Sequence, residues 1–358
     1  MNATIAYFTN RKNPRFHWFC DSLVRQMWPE DLAKLQVIFI DNLVWGINAD
    51  VGNRYLRAAG KFPLADTRWH NWARRDELAA AVRGRFEYLH VPPKPCSWQG
   101  PFRYTQEDWF CAGNARNTAI ILAEKPYLIC VDDLSVLAPG WVDNARHAVQ
   151  HGYVVAGAYK KLLKMEVNDG HLADHEENPK GVDSRWPHGS ATGIVPWHGD
   201  ALYGCSFGVP VELATTIDGF DAHCDGMGAE DYDFGIRLER AGGKIFYNRN
   251  MLTWESEEGH WDDKSLPRRR KKMPPERLPD YLRAKHPDGL DCDHVMLNRI
   301  RSEPSRFAPL SRTTVHSLRS LRHQWAREKL VSIPETCPED WVDGMPLTQV
   351  VRSNSGYY

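Results

Sequence analysis

Apolar and polar positions alternate along the first 40 residues in an order that sets out a strand, a helix and a second strand. Thr4–Thr9 (TIAYFT) is an apolar run of strand length, followed by the polar turn Asn10–Pro14. Phe16–Met27 then carries apolar residues at helical spacing, and Leu35–Ile40 (LQVIFI) is a second apolar run that ends at Asp41-Asn42. A strand, helix and strand this close together make a right-handed crossover between parallel strands. Ligands of such sheets bind beyond the carboxyl ends of the strands, which is where Thr9, Asn10, Arg11 and Asp41 fall.

The pattern is weaker over residues 43–110. Val44–Gly60 and Thr67–Arg85 read as partly helical, Val91–Gly100 as a proline-rich loop, and the aromatics of Trp98–Phe110 either pack a loop or line a cleft. It sharpens again at Phe110–Ala123 (FCAGNARNTAIILA), a helix with Ile120, Ile121 and Leu122 as core candidates. Leu128–Val131 and Tyr153–Ala158 are buried strands. Lys160–Gly199 is a long polar stretch with little regular pattern, the kind of segment that forms a lid or acceptor loop. Asp200–Gly208 returns to a strand. Asp225–Gly243 (DGMGAEDYDFGIRLERAGG) passes from a glycine-punctuated loop into a helix with Phe234, Leu238 and Ala241 on one side, and Lys244–Asn250 leaves it as a strand. Pro279–Arg301 and Ser311–Leu330 are expected helices, and Val331–Tyr358 is a tail. The expected organisation is a domain over 1–262 with an insertion at 160–200, a basic helical extension over 263–330 and the tail over 331–358.

Composition narrows the class. The chain has 358 residues, 42% of them hydrophobic and 25% charged, as in a globular protein. No apolar run is long enough to span a bilayer and no signal-peptide pattern opens the chain, so a cytoplasmic protein is expected. The eight cysteines form no CxxC pair, which points to reduced thiols and away from zinc. The net charge of −1 is uneven: residues 264–330 hold 17 Lys/Arg against 7 Asp/Glu, leaving 28 against 39 in the remainder. That asymmetry suits a polyanionic partner, and equally a solvated basic surface.

Three places carry candidate chemistry. Asp132-Asp133 follow the apolar strand Leu128–Val131, and two carboxylates at a strand end make a hard-oxygen site suited to Mg²⁺ or Mn²⁺. Arg116 and Asn117 open a helix, where the guanidinium can pair with a pyrophosphate or a neighbouring acid and the amide can cap or bond a ligand. Glu230-Asp231 stand at the start of the acidic helix, where acids complement the helix dipole and can also serve as a base.

The order of GFDAHCDGMGAEDYDFGIRL, with Ala115-Arg116-Asn117 and the Asp pair upstream, resembles the family 2 glycosyltransferases of the GT-A fold. The resemblance covers roughly residues 1–260 and implies an α/β, Rossmann-like fold with a mostly parallel central sheet and, here, a C-terminal helical extension. It implies Asp231 as the base that deprotonates an acceptor hydroxyl and Glu230 as a holder of sugar or acceptor hydroxyls. Thr9, Asn10, Arg11 and Asp41 would hold the nucleotide base and ribose, and Arg116 and Asn117 the donor. Gly204 would lie in the glycine-rich run under the donor sugar. Asp133 would ligate the metal, with Asp132 on the ribose or the metal and His260 as a third ligand. The strict D-x-D signature is absent, since positions 131 and 134 are Val and Leu.

The implied reaction is a Mn²⁺- or Mg²⁺-dependent, inverting transfer of one sugar from a nucleotide-diphosphate donor, UDP-linked by expectation. The missing Gln-x-x-Arg-Trp motif argues against a polymerising synthase. The segment from Asp225 to Met251, with Asp291–Arg299, is also similar to glycosyltransferases encoded by tailed bacteriophages. That likeness implies duplex DNA carrying hydroxymethylated pyrimidines as acceptor, and a glycan, lipid-linked or protein acceptor is the alternative. A nucleotidyltransferase and a non-catalytic polyanion-binding protein stand as further alternatives. The first of these lacks its glycine-rich loop in Thr4–Pro14.

Overall fold

A computed structural model describes residues 1–11, 13–41, 72–91, 112–188, 193–220, 230–258, 318–328 and 351–352. In chain order the elements are β1 (Thr4–Thr9), α1 (Phe16–Arg25), the single turn α2 (Pro29–Leu32), β2 (Gln36–Asp41), α3 (Trp72–Val82) and β3 (Tyr88–Val91). There follow α4 (Ala112–Leu122), β4 (Tyr127–Asp132), β5 (Ser135–Leu137), α5 (Trp141–His151), β6 (Val154–Asn168), β7 (His171–Val182) and β8 (Ile194–Pro196). The last are β9 (Ser206–Pro210), α6 (Val211–Thr216), α7 (Glu230–Arg240), β10 (Ile245–Ser256), α8 (Leu318–Glu328) and β11 (Val351–Arg352).

The described strands form one mixed sheet in the order β11-β3-β2-β1-β4-β9-β6-β10-β5, with β7 on β6 and β8 on β10. β3, β2, β1 and β4 run parallel to one another, and β6 and β10 are likewise parallel. β9 lies antiparallel between β4 and β6, so both groups point the same way. This is the expected α/β class with a mostly parallel central sheet.

The period of two along each strand builds two cores. In β1, Ile5 and Tyr7 face a cluster with Phe16, Phe19 and Leu23 of α1, Leu78 of α3 and Trp141 of α5. Ala6 and Phe8 face the opposite cluster, with Ala119 and Ile120 of α4, Ala214 of α6 and Phe234 and Leu238 of α7. Helices therefore cover both faces, which is why the central strands read as continuous apolar runs. The register brings Thr9 beside Asp41 and Phe8 beside Asp132, so these acids gather at one edge, the carboxyl ends of the strands.

The expected irregular insertion is in large part regular. β6 runs on past the sheet to Asn168 and pairs antiparallel with β7. Leu162 and Met165 pack with Trp18, Leu134 and Val136 in a third small core, while most of β7 is exposed. At the hairpin tip Gly170 lies at φ +74° against α1, where an added Cβ would stand 2.4 Å from Ser22 N. The polar composition reflects a ribbon with one dry side, not missing structure.

The chain leaving β7 is fastened by Asp183 and Arg185, which are 1% and 2% exposed. Arg185 donates from Nε to Asp183 Oδ1 at 2.9 Å and from Nη2 to Oδ2 at 2.8 Å. It also donates to the carbonyls of Ala201 at 2.8 Å and Gly157 at 2.7 Å. α8 docks on the face of the sheet that α4 and α6 cover. Arg322 donates to the carbonyls of Ile120 and Ala123 at the end of α4, and Arg319 pairs with Glu212 at 2.6 Å. Part of the basic excess of the C-terminal third is therefore spent on the fold. The segments Pro279–Arg301 and 331–350 lie outside the described residues.

Removing one partner of a buried pair strands the other charge. Arg185→Ala is expected to lower unfolding stability by about 3–5 kcal/mol, read by urea denaturation.

Candidate functional site

The edge where β1, β2 and β4 end holds the acidic pair, and its geometry is set by the turn that follows. Leu134 lies at φ 56°, an unusual conformation for a residue with a Cβ. Its amide donates to the hydroxyl of Tyr7 at 3.0 Å, and that hydroxyl donates to the Pro14 carbonyl at 2.7 Å. The Ser135 hydroxyl closes the turn on the Asp132 carbonyl at 2.7 Å. Held this way, Asp132 and Asp133 diverge. Asp133 Oδ2 accepts the Thr9 hydroxyl at 2.8 Å and lies 3.5 Å from Arg11 Nε. Burial raises its pKa, and Arg11, Thr9 and the Asn10 backbone pull it back. Asp132 is the more open of the two, its side chain 35% exposed against 14%.

Arg116, on the first turns of α4, links this edge to the acidic helix. It is 4% exposed and lies between the rings of Phe8 and Phe220, at 5.9 Å and 5.7 Å from their centroids. Nη2 donates to Asp132 Oδ1 at 3.2 Å and to the Gly204 carbonyl at 3.1 Å, while Nη1 donates to Glu230 Oε1 at 3.2 Å. Asp231 Oδ2 accepts the Gly204 amide at 3.0 Å, and Oδ1 accepts the Tyr232 amide at 2.9 Å. Arg116, Gly204, Asp132, Glu230 and Asp231 are thus joined by direct hydrogen bonds.

The charges are unbalanced. Burial, then the neighbouring Asp231, pushes Glu230 up to about 7 against the pull of Arg116. Asp231 is raised by burial, with Arg116 and the Gly204 amide opposing. Burial would lower the pKa of Arg116, but Asp132, Glu230 and Asp231 outweigh it and keep the guanidinium charged. Glu255, at the end of β10, is pushed up to about 8 by burial, Lys161 lowers it, and Asp132 and Asp133 raise it further. Nothing in the sequence marks Glu255 apart from Glu257 and Glu258 as the acid that faces Asp132 and Asp133.

Several of the expected site residues make contacts within the protein. Asp41 is fully buried, with Oδ2 accepting Arg74 Nε at 2.7 Å and bonded to His90 Nε2 at 3.0 Å, and Oδ1 accepting Arg74 Nη2 at 3.1 Å. After the cost of burial, Arg74 and His90 pull its pKa down to about 2. It ties α3 and β3 to β2. Asn117 bonds the Phe220 backbone: its amide donates to the carbonyl at 2.8 Å and its oxygen accepts the N–H at 2.7 Å. Thr9 acts on Asp133, and its own oxygen accepts the Arg11 amide at 3.1 Å. Arg116 is paired with protein carboxylates, the neighbouring-acid alternative of the sequence reading. His260 lies outside the described residues, among which no cluster of three or more His, Cys, Asp or Glu groups could hold a metal ion.

No family model and no curated protein matches the chain. Among solved structures it is similar to S. aureus TarS 1-349 in complex with UDP, at 13% identity and TM-score 0.44, covering 73% of this chain and 63% of that one. It is similar to TarS 1-349 in complex with UDP-GlcNAc at 13% identity and TM-score 0.43, covering 72% and 58%. It is also similar to GalNAc-T7 with UDP, GalNAc and Mn²⁺, at 12% identity and TM-score 0.44, covering 91% and 56%. The matched parts amount to less than two thirds of each of those chains. At this distance the site has to be read from its own geometry.

Two substitutions separate scaffold from site. A Cβ at position 204 would stand 2.2 Å from Arg116 Nη2, so Gly204→Ala is expected to displace the guanidinium and destabilise the protein by about 1–3 kcal/mol in thermal melts. Asp41→Asn leaves Arg74 buried without its carboxylate. Because the folded-state pKa of Asp41 is depressed, its stabilisation is present above pH about 4 and lost as pH falls toward 2. The variant is therefore expected to melt well below the parent at pH 7 and to approach it near pH 2.

Proposed function

We propose that the chain is a GT-A-type glycosyltransferase that moves one sugar, with inversion, from a nucleotide-diphosphate donor to an acceptor hydroxyl. The observation that carries this reading is the single guanidinium of Arg116, bonded at once to Asp132 at the sheet edge and to Glu230 beside Asp231. Transfer requires a base on one side of the anomeric carbon and charge stabilisation for the diphosphate on the other, within one chamber. Here carboxylates of both kinds meet at one group.

In this reading Asp231 accepts the acceptor hydroxyl proton as that oxygen bonds to the anomeric carbon. The bond from that carbon to the diphosphate oxygen breaks, and its electron pair leaves with the nucleoside diphosphate. Asp231 suits a base because burial lifts its pKa while the Gly204 and Tyr232 amides hold its orientation. Glu230, paired with Arg116, holds sugar or acceptor hydroxyls.

What supports a divalent cation here is the charge: Asp132 and Asp133 both raise the pKa of the buried Glu255, and a cation would relieve that repulsion although the two aspartates turn to different partners. Asp132 and Asp133 would hold Mn²⁺ or Mg²⁺, with Asp132 the more accessible. Such an ion would neutralise charge building on the departing diphosphate. Arg11 stands beside Asp133 at the ends of β1 and β4, where a nucleotide would approach.

For the acceptor we favour duplex DNA carrying hydroxymethylated pyrimidines over a glycan, lipid-linked or protein acceptor; the +10 balance of residues 264–330 suits phosphate contacts, and Arg319 and Arg322 of that segment are taken up by the fold. A target base in duplex DNA would have to leave the stack to reach Asp231.

Asp231→Asn is expected to lower the transfer rate by about 10²–10⁴-fold while UDP still binds, measured by nucleoside mass spectrometry and calorimetry. Both acids have raised pKa values, Glu230 up to about 7, so kcat/KM should start to fall with decreasing pH above the ordinary carboxylate range. A profile flat down to pH 5 would contradict the assignment.

A further inference from the structure

The end of α5 carries a pair of histidines that the chemistry above does not use. His147 and His151 stand four residues apart, on one face of the helix, while Trp141, Val142, Ala145 and Ala148 are the residues α5 buries. Both imidazoles are exposed, with ring centroids 4.1 Å apart and planes 32° from parallel. Tyr153, which follows the helix, immediately precedes β6. β6 runs in the same direction as β4, so its start lies at the edge of the sheet opposite to Asp132 and Asp133. The pair is therefore separate from the acidic edge.

One nitrogen of each ring is tied to oxygen. His151 Nδ1 is 2.9 Å from the His147 carbonyl. A carbonyl only accepts, so Nδ1 carries the proton and the neutral ring keeps its lone pair on Nε2. His147 Nδ1 is 2.9 Å from the Tyr153 hydroxyl. Tyr153 is itself fixed by the core: it is 7% exposed, its ring packs on Phe246 at 4.7 Å, and its carbonyl accepts the Tyr127 hydroxyl at 2.7 Å. Neither Nε2 forms a hydrogen bond with a described residue.

This is the arrangement of metal-binding imidazoles, which hold their other nitrogen on a carbonyl or a comparable acceptor and so present a basic lone pair to the ion. Two nitrogens on a tetrahedral Zn²⁺ stand about 3.3 Å apart, within reach of rings spaced as these are. The location adds to the attraction, since His151 is the last residue of α5 and a helix C-terminus favours positive charge. Arg146, beside His147 in sequence, has its charge offset by Asp143 at 2.8 Å and Asp31 at 3.6 Å. Imidazole ligands select Zn²⁺, Ni²⁺ or Cu²⁺ over the hard cations that carboxylates prefer.

We propose that His147 and His151 form a second metal site, a two-imidazole chelate for a borderline divalent ion such as Zn²⁺, with Tyr153 as the residue that orients His147. Two protein ligands leave further positions on the ion open to water or to a ligand from solution.

The test is a calorimetric titration of the full chain with ZnCl₂ in saturating Mg²⁺, which occupies the hard-cation site without competing for imidazole. His147→Ala and His151→Ala are each expected to weaken one Zn²⁺ equivalent by at least about tenfold and to leave any other equivalent unchanged. Tyr153→Phe, which keeps the ring, should weaken the same equivalent by about tenfold. In protein labelled with ¹⁵N-histidine, Zn²⁺ should shift the Nε2 resonances of the two residues, identified by their loss in the two variants. Zn²⁺ should also raise the melting temperature of the parent more than that of either variant, because it binds the folded chain. Circular-dichroism melts without metal check that each variant keeps its fold.

Zn²⁺ binding that is unchanged in both histidine variants overturns the site. Loss in only one of them reduces the site to a single surface imidazole and overturns the chelate. Displacement of the Zn²⁺ by an equal concentration of Mn²⁺ overturns the assignment to imidazole ligands, and full affinity in Tyr153→Phe overturns the part given to Tyr153.

Discussion

The arrangement of the site depends on one buried cation. Arg116 is held off solvent by Phe8 and Phe220, and it satisfies its charge on acids from two parts of the chain 98 residues apart, Asp132 and Glu230. A guanidinium can do this because its donors fan out in a plane, so separate carboxylates and a carbonyl are met at fixed angles. Gly204 completes the contact by lacking a side chain, bonding Arg116 through its carbonyl and Asp231 through its amide. The support continues outward: Asn117 clamps the backbone of Phe220, and Leu318 of α8 donates its amide to Asp218. The C-terminal helix is therefore packed behind the same platform that carries the acids.

An excess of acid gives the site its character. Among the described residues Asp132, Asp133, Glu230, Asp231 and Glu255 face Arg11, Arg116 and Lys161, and burial makes every uncompensated charge costly. Such a region either holds protons near neutral pH or takes up a cation. Both outcomes are what the proposed diphosphate site requires, since the negative charge of a diphosphate would otherwise be repelled.

Much of the architecture was legible in the sequence because it rests on local pattern. The apolar runs of β1, β2, β4 and β6 read as buried strands for a physical reason, each being covered by helices on both faces. The acidic helix and the strand-end acids were legible for a similar reason, since caps and strand ends are marked by their neighbours in sequence. What escaped depends on contacts across long separations. Asp41 read as a ligand because its partners Arg74 and His90 lie 33 and 49 residues away, and Asn117 because Phe220 is 103 residues away. β7 escaped because a ribbon dry on one side and wet on the other can be built largely from polar residues. Asp183 and Arg185 fall in the polar stretch expected to be irregular, and nothing near them in sequence reveals that the chain turns inward there.

The most direct measurement is the crystal structure of the protein soaked with UDP and Mn²⁺. The account predicts the diphosphate at the carboxyl ends of β1 and β4, with the ion on Asp132 and the open side of Asp231 across one sugar's width from it. UDP bound elsewhere, or Asp231 and Asp132 opening into separate cavities, would contradict it.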